Sequence, residues 1–134
     1  MSSVIVDTSA LMAVLLQEED AMKFATALSS ATGLRMAAPT WLEAAMVATA
    51  RSASRGYIEL LSLLEDMGVE VVPIDHTLAE IAYGGWVRYG KGRHPAGLNY
   101  ADCFSYALAK QRGDPLLFKG DDFSLTDIQS ALAT

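Results

Sequence analysis

The sequence predicts an α/β fold of three layers, in which helices cover both faces of a central parallel sheet of four to five strands. Short β-rich apolar runs alternate along the chain with amphipathic stretches at helical spacing. No repeat and no low-complexity segment interrupts this alternation. Strands that are separated by helices pair in parallel through right-handed crossovers, and this requirement leads to the three-layer arrangement. The carboxyl ends of the strands then share one edge, where ligands bind in such folds.

The first half of the chain contains the first two predicted strands. Asp7 ends strand 4–6 and caps the helix that follows it. Gly33 breaks the chain before the second strand, and Pro39 opens the helix after that strand. The predicted elements of this half are strand 4–6, helices 10–16 and 18–30, strand 34–38, and helices 39–52 and 54–67.

The second half of the chain continues the same alternation. Gly68 ends the preceding helix, and Asn99 caps the last long one. Residues 90–97 are dense in Gly and Pro, which is typical of a loop. The predicted elements here are strand 69–74, helices 75–89 and 99–112, and strand 115–118.

Length and composition indicate one domain over residues 1–134 and exclude several classes of protein. The chain has 134 residues, of which 51% are hydrophobic and 19% are charged, so it can bury a core. No apolar run approaches the ~20 residues that a spanning helix needs, and the first residues lack a basic segment that would suggest a signal peptide. The single cysteine excludes an intramolecular disulfide and a multi-cysteine zinc site. We therefore expect a soluble, cytoplasmic protein without a membrane partner.

The net charge of −6 argues against a protein that coats nucleic acid without specificity. It does not exclude a nuclease, because acids that are gathered in a metal site are neutralised when a cation binds. The few basic residues are unevenly distributed. Lys91 and Arg93 lie in the 90–97 loop, and Arg51 and Arg55 are one helical turn apart. These four residues are candidates for contacting phosphate groups, although a solvated loop and a solubilising helix face would also explain them.

Acidic residues follow the carboxyl ends of the predicted strands. Asp7 ends the first strand, Glu43 lies in the first turns after the second, and Asp102 is one turn inside the helix that begins at Asn99. Asp122 follows the fourth strand, with Asp121 beside it. The predicted topology therefore brings acids that are far apart in sequence to one edge of the sheet.

Each of these acids also has a simpler explanation. Asp7 could only cap a helix, Asp102 could complete a capping arrangement with Asn99, and residues 121–122 could be turn residues. Glu43 is harder to explain in this way, because it lies on an apolar helical stretch and has no basic residue nearby on the same face. One shared function is more economical than four independent explanations.

A cluster of carboxylates is costly without a cation. Two carboxylates ~5 Å apart repel each other by roughly 3 kcal/mol at an effective dielectric constant near 20. Oxygen ligands without His or Cys suit Mg²⁺ or Mn²⁺ rather than zinc. Such ions contact phosphate oxygens and activate water for attack on phosphorus, so metal-dependent hydrolysis of a phosphodiester is the leading chemistry.

Four segments together resemble the PIN-domain ribonucleases, most closely the VapC-type toxins of prokaryotic type II toxin–antitoxin pairs. They are residues 4–11 (VIVDTSAL), 41–43 (WLE), 98–109 (LNYADCFSYALA) and 116–128 (LLFKGDDFSLTDI). Each motif is weak alone, but the ordered set covers essentially the whole chain. The resemblance implies a metal-dependent endoribonuclease that acts as a toxin.

The resemblance also implies roles for individual residues. The catalytic acids would be Asp7, Glu43, Asp102 and Asp122. Asp7 and Asp102 would bind Mg²⁺ most directly, with Mn²⁺ as a possible substitute. Thr8 or Ser9 would supply an auxiliary hydroxyl, and Asp121 occupies a more variable position. A fifth short strand near 126–128, a homodimer, an RNA substrate and an antitoxin that blocks the site are further implications.

Two other classes of function remain as alternatives. A receiver-like signalling domain also gathers carboxylates and Mg²⁺ at this edge, but it normally has an acidic pair after the first strand and a lysine after a late one. Here Asp7 is followed by Thr8, and Lys119 is the only candidate lysine. A PIN-like module that only binds partners is the second alternative, and the intact set of four acids argues against it.

Overall fold

The computed structural model describes residues 3–132 and contains a parallel sheet of four strands in the order β3-β2-β1-β4. Helices cover both faces of this sheet, so the predicted α/β fold is confirmed. The elements in chain order are β1 (Ser3–Val6), α1 (Thr8–Leu15), α2 (Ala21–Ser30), β2 (Gly33–Ala37), α3 (Ala38–Met67), β3 (Val69–Val72), α4 (His76–Tyr89), α5 (Tyr100–Arg112) and β4 (Leu116–Leu117).

Strand β1 lies between β2 and β4 and divides the core into two halves. Val4 and Val6 pack in the half that α1, α2 and α3 cover, whereas Ile5 packs in the half that α4 and α5 cover. Successive side chains of a strand point to opposite faces, so the apolar run of residues 4–6 in β1 requires helices on both sides. The end of β1 is thus held rigidly in the middle of the molecule.

The predicted helices 39–52 and 54–67 are the two arms of α3, which bends sharply at Ser52 and Ala53. Ala53 has φ 53° and ψ −145°, far from helical values. The two arms approach each other closely at Gly56, where a Cβ would lie 2.1 Å from the carbonyl oxygen of Ala48. Only glycine fits this crossing, and Glu43 lies on the first arm, which directly follows β2.

The prediction of a fifth strand near 126–128 is wrong. Within residues 3–132 the segment after β4 joins the sheet through one bridge, between Leu116 and Ser130. Residues 123–125 form a 3₁₀ turn instead, and the Thr126 hydroxyl accepts a hydrogen bond from the Ile128 amide at 3.2 Å. These local bonds use backbone groups that a longer ladder would need.

Other differences are at element boundaries. The strand predicted over 69–74 ends at Val72, because Pro73 has no N–H to donate. The helix predicted from residue 18 begins at Ala21. None of the helices within residues 3–132 combines the length and the apolar character needed to cross a bilayer.

Candidate active site

Asp7 lies at the carboxyl end of β1 and is only 6% exposed. Its Oδ2 accepts hydrogen bonds from the backbone N of Ser9 at 3.1 Å and from Ser9 Oγ at 2.7 Å. Its Oδ1 accepts a hydrogen bond from Ser105 Oγ at 2.7 Å. Asp7 therefore caps α1, which is the simpler role considered for it from the sequence. Its other carboxylate oxygen faces α5. Three donors compensate for the water that this buried carboxylate has lost.

Asp102 occupies the first turn of α5. Its Oδ2 accepts a hydrogen bond from the Asn99 backbone N at 3.0 Å, while Asn99 Oδ1 accepts one from the Asp102 backbone N at 2.8 Å. This reciprocal pair is a capping box, so the capping arrangement considered for Asp102 is present. Capping uses one of its two carboxylate oxygens.

The charges of the other three acids act on Asp102. Partial burial and, to a smaller extent, the negative charges of Asp7, Asp122 and Glu43 together raise the pKa of Asp102 to about 6, against the opposing hydrogen bond from Asn99. A carboxyl normally keeps a pKa near 3.8. Within residues 3–132, the charged side chains that shift the pKa of Asp102 are thus all acidic.

Glu43 and Asp122 differ in their exposure to solvent. Glu43 is half-buried in the second turn of α3 and borders an apolar groove of about 730 Å³. Asp122 is exposed immediately before the 3₁₀ turn. Asp121 is also exposed, and its backbone carbonyl accepts hydrogen bonds from Ser124, so it stabilises the turn through its main chain.

The two candidate auxiliary hydroxyls have different partners. Ser9 Oγ donates to Asp7 and accepts a hydrogen bond from the Lys119 backbone N at 3.0 Å. Thr8 Oγ1 donates to the backbone oxygen of Thr40 at 3.3 Å. Ser9 is therefore the hydroxyl that contacts an acid, and Thr8 joins α1 to the start of α3.

Sequence reasoning missed two hydroxyls next to the acids. Ser105 is fully buried and contacts Asp7, and the Thr40 side chain, 1% exposed, lies 3.2 Å from Ser105. One signal was present in the sequence: Ser105 is a polar residue within an apolar stretch of α5, three residues after Asp102. A buried serine in a helix needs a partner, and here the partner is a carboxylate.

The donor set suits a hard divalent cation held in an open site. Within residues 3–132, no three His, Cys, Asp or Glu side chains are close enough to form a ready metal cage. Mg²⁺ does not need such a cage, because it binds through one or two carboxylates and keeps several waters. Over the same range, no hydrogen bond reaches Oδ1 of Asp102, and Oδ1 of Asp7 accepts only the one from Ser105, so each of these two oxygens has a lone pair for a cation. Asp7 and Asp102 therefore fit such an ion.

The basic candidates divide into two groups. Lys91 is exposed and lines a groove of about 630 Å³ together with Asn99, at the start of α5. Arg93 donates to the Val87 carbonyl at 3.1 Å, and its guanidinium lies 4.7 Å from the centre of the Trp86 ring. These two residues are on the side of the molecule where α5 begins.

Arg51 and Arg55 are exposed on α3 around its bend. Arg55 forms an ion pair with Glu59 at 3.8 Å. In the described part of the chain, no hydrogen bond or ion pair joins either arginine to the four acids.

Lys119 is the lysine that a receiver-like site would need. Its Nζ lies 2.7 Å from Glu18 and 3.1 Å from Asp20. Its charge is therefore engaged by the turn between α1 and α2.

Comparison with known families and curated proteins gives consistent results. The family described as PIN domain matches residues 4–129. Ribonuclease VapC30 of Mycobacterium tuberculosis is 47% identical over 124 residues, covering 92% of this chain and 95% of that protein. Ribonuclease VapC of Mycolicibacterium smegmatis is also 47% identical over 124 residues, covering 92% of this chain and 96% of that protein.

Solved structures with much lower identity share the fold. The Mycobacterium tuberculosis VapC20 toxin, described as cleaving the sarcin–ricin loop, superposes with a TM-score of 0.76 at 18% identity, over 93% of this chain and 95% of that one. The DNA-bound VapBC complex of Salmonella typhimurium has a chain with a TM-score of 0.69 at 16% identity, over 97% of this chain and 96% of that one.

Proposed function

The chain belongs to the PIN-domain family and, within it, to the VapC ribonucleases, and we propose that it is an endoribonuclease that cleaves RNA at the edge formed by Asp7, Glu43, Asp102 and Asp122. One observation supports this assignment of the site above the others. The pKa of Asp102 is raised by burial and by the charges of the other three acids. Such unrelieved repulsion is characteristic of a site that takes up a cation.

PIN-domain ribonucleases depend on a divalent metal, and we propose Mg²⁺ for this chain, with Mn²⁺ as a substitute. Asp7 and Asp102 would hold the ion, which would supply a Lewis acid for the scissile phosphate and an activated water. Ser9 and Asn99 would keep the two carboxylates oriented. Glu43 is half-buried and Asp122 is exposed, so solvent reaches both, and they would contact the attacking water and accept its proton.

Lys91 and Arg93 would bind the RNA backbone beside this edge. Lys91 lines the groove at the start of α5, and the Arg93 side chain lies nearby over Trp86. Lysine and arginine position nucleic acid through phosphate contacts that carry no sequence information. Arg51 and Arg55 would contribute only where a long substrate extends along α3.

We further propose that the chain is the toxin of a toxin–antitoxin pair, with an antitoxin as its protein partner. The support is the identity to VapC ribonucleases and the fold shared with the toxin chain of a VapBC complex. A toxin that attacks cellular RNA needs a partner that restrains it. Its RNA substrate and this partner would place its activity in the cytoplasm.

We also propose a homodimer that covers the apolar face beside Glu43. Leu42, Met46 and Tyr100 are 53%, 63% and 81% exposed, and all three line the groove next to that carboxylate. Apolar side chains exposed together in this way mark a contact surface. Replacing Met46 with Glu should shift the protein from dimer to monomer in sedimentation experiments, and a wild-type monomer would contradict the proposal.

Incubation of the purified protein with end-labelled RNA tests the nuclease assignment. We expect internal cleavage with Mg²⁺ or Mn²⁺, none in EDTA, and restored cleavage when the metal is added back. Incubation with a small phosphodonor, acetyl phosphate, tests the receiver-like alternative, which predicts a phosphoprotein whose acyl phosphate is released by hydroxylamine, and no cleavage. Cleavage that is unaffected by EDTA would contradict the proposed chemistry.

A further inference from the structure

A buried chain of hydroxyl groups ends on Asp7. Ser105 Oγ donates to Asp7 Oδ1 at 2.7 Å and lies 3.2 Å from Thr40 Oγ1. A serine hydroxyl has one proton, and that of Ser105 is given to the carboxylate, so the Thr40 hydroxyl must donate to Ser105. The chain therefore runs in one direction, from Thr40 through Ser105 to Asp7.

The members of this chain lie on the elements that carry the acids. Ser105 is three residues after Asp102 on α5, and Thr40 is three residues before Glu43 on α3. The backbone oxygen of Thr40 accepts a hydrogen bond from Thr8, the residue after Asp7. One network thus joins the N-terminal parts of α1, α3 and α5, near Asp7, Glu43 and Asp102.

Ser105 has a local alternative that it does not use. Serines in a helix often donate to the carbonyl four residues earlier, as Ser29 does to Ala25 at 3.0 Å and Ser30 does to Thr26 at 2.8 Å. Ser105 instead donates across to β1, to a residue 98 positions away in the sequence. Its loss would leave both the Thr40 hydroxyl and Asp7 Oδ1 without this partner in the interior.

We propose that Ser105 is a positioning residue that holds the Asp7 carboxylate in its cation-binding orientation, and that Thr40 orients Ser105. This inference rests on the proposed function, because it assigns the two hydroxyls to the same metal site. Groups that hydrogen-bond to metal ligands typically change metal affinity or activity about 10–100-fold when they are removed. Ser105 makes one such bond to a proposed ligand, so the lower end of this range is expected.

Calorimetric titration with Mn²⁺ tests the proposal without relying on catalysis. Ser105→Ala should weaken Mn²⁺ binding about tenfold, and the Mn²⁺ concentration for half-maximal RNA cleavage should rise by a similar factor. The cleavage rate at saturating Mn²⁺ should change much less. Ser29→Ala removes an exposed helical hydroxyl and should leave both quantities unchanged.

A second pair of variants separates the hydroxyl from the shape of the side chain. Thr40→Val keeps the shape and loses the hydroxyl, so it should weaken Mn²⁺ binding in the same direction as Ser105→Ala. Thr40→Ser keeps the hydroxyl and should bind Mn²⁺ as the wild type does. This pair also carries the test if Ser105→Ala melts too low for titration.

The outcomes are distinguishable. A wild-type protein that binds no Mn²⁺ would overturn the proposed function and this inference with it. A wild-type protein that binds Mn²⁺, with unchanged affinity in Ser105→Ala and in Thr40→Val, would overturn the positioning role alone. Equal weakening in Thr40→Val and Thr40→Ser would assign the effect to packing and would also overturn it.

Discussion

A carboxylate lies at each end of helix α5, and the charges around the two carboxylates are opposite in sign. At its first turn, Asp102 has the acids Asp7, Glu43 and Asp122 around it. Near its last turn, Asp127 from the segment after β4 accepts hydrogen bonds from Tyr106 Oη at 2.9 Å and from Lys110 Nζ at 2.6 Å. The same helix therefore faces unneutralised acids at one end and a completed ion pair at the other.

The protonation of the two carboxyls follows this difference. Burial and the neighbouring charges raise the pKa of Asp102 to about 6. Burial also acts to raise the pKa of Asp127, but the hydrogen bonds from Lys110 and Tyr106 outweigh it, so the pKa of Asp127 is lowered. A carboxylate that has its own cation within the chain is a structural contact. A carboxylate whose neighbours are other carboxylates is stabilised when a metal cation binds, which agrees with the metal site that we propose.

The largest effect should come from exchanging the two carboxylates for amides in turn. Asp102→Asn removes an anionic ligand at nearly constant volume, so metal-dependent RNA cleavage should fall to background, and Asp7→Asn should behave alike. Asp127→Asn should keep cleavage and cost about 1 kcal/mol of folding free energy, because Lys110 and Tyr106 lose a partly exposed anionic partner. Cleavage assays and urea unfolding measure the two quantities.

Growth after expression without an antitoxin extends this test to cells. The wild type and Asp127→Asn should arrest bacterial growth, and Asp102→Asn should not. Equal toxicity of Asp102→Asn and the wild type would remove Asp102 from the active site.

The next largest effect should be stabilisation by metal at the acidic end of α5. Binding to the folded state alone at roughly 100 times the dissociation constant contributes about 2.7 kcal/mol. Mg²⁺ or Mn²⁺ should therefore raise the melting temperature of the wild type and of Asp127→Asn, but not of Asp102→Asn.

The same melts in EDTA test whether the acids repel each other. Glu43→Gln and Asp122→Asn should be neutral or stabilising there, because each removes one like charge from the cluster. The alternative in which these side chains only make local structural contacts predicts lower melting temperatures in EDTA and no response to metal.

A smaller effect is expected from the basic residues near the start of α5. Neutralising Lys91 and Arg93 together should weaken RNA binding and reduce the slope of log affinity against log salt by about two, since each phosphate contact contributes roughly one. The affinity for Mn²⁺ should not change. Binding titrations at several salt concentrations measure the slope, and an unchanged slope would assign residues 90–97 to a purely connecting loop.

The smallest effect should be the pH dependence of stability in EDTA. The pKa of Asp102 is higher in the folded protein than its ordinary 3.8, so the folded state holds a proton that the unfolded chain has already lost. This contribution is complete below the unfolded pKa and is lost as the pH rises through about 6. Stability should therefore decrease from about pH 4 to about pH 7, and Asp102→Asn should abolish that decrease.

Asp127 should act in the opposite direction and in a different range. Its pKa is lowered in the folded protein, so its contribution is present above the ordinary 3.8 and is lost as the pH falls below that value. Unfolding in urea across both ranges, for the wild type and for Asp127→Asn, measures this second contribution. A wild-type stability that rises from about pH 4 to about pH 7 would contradict the difference between the two ends of α5.

Much of the fold followed from local sequence signals. The caps at Asp7 and Asn99 and the separation of the two arms of α3 were all predicted from residue types. The fifth strand was not predicted correctly, because Thr126 and its neighbours satisfy their hydrogen bonds within a turn rather than along β4. A resemblance to a family cannot reveal such a local competition between hydrogen bonds.

The sequence by itself determined that acids follow successive strands, and parallel topology then requires those acids to share one edge. The tertiary structure alone decided which further side chains surround them. The bond from Ser105 to Asp7 joins residues 98 positions apart, and the pairing of Lys119 with Glu18 and Asp20 joins two loops. A periodic pattern reports which face of an element is buried, but not which group on another element meets it. Hydrogen bonds and ion pairs weaken when the distance between their two atoms changes by a few tenths of an ångström. Only the packing of the folded chain sets those distances.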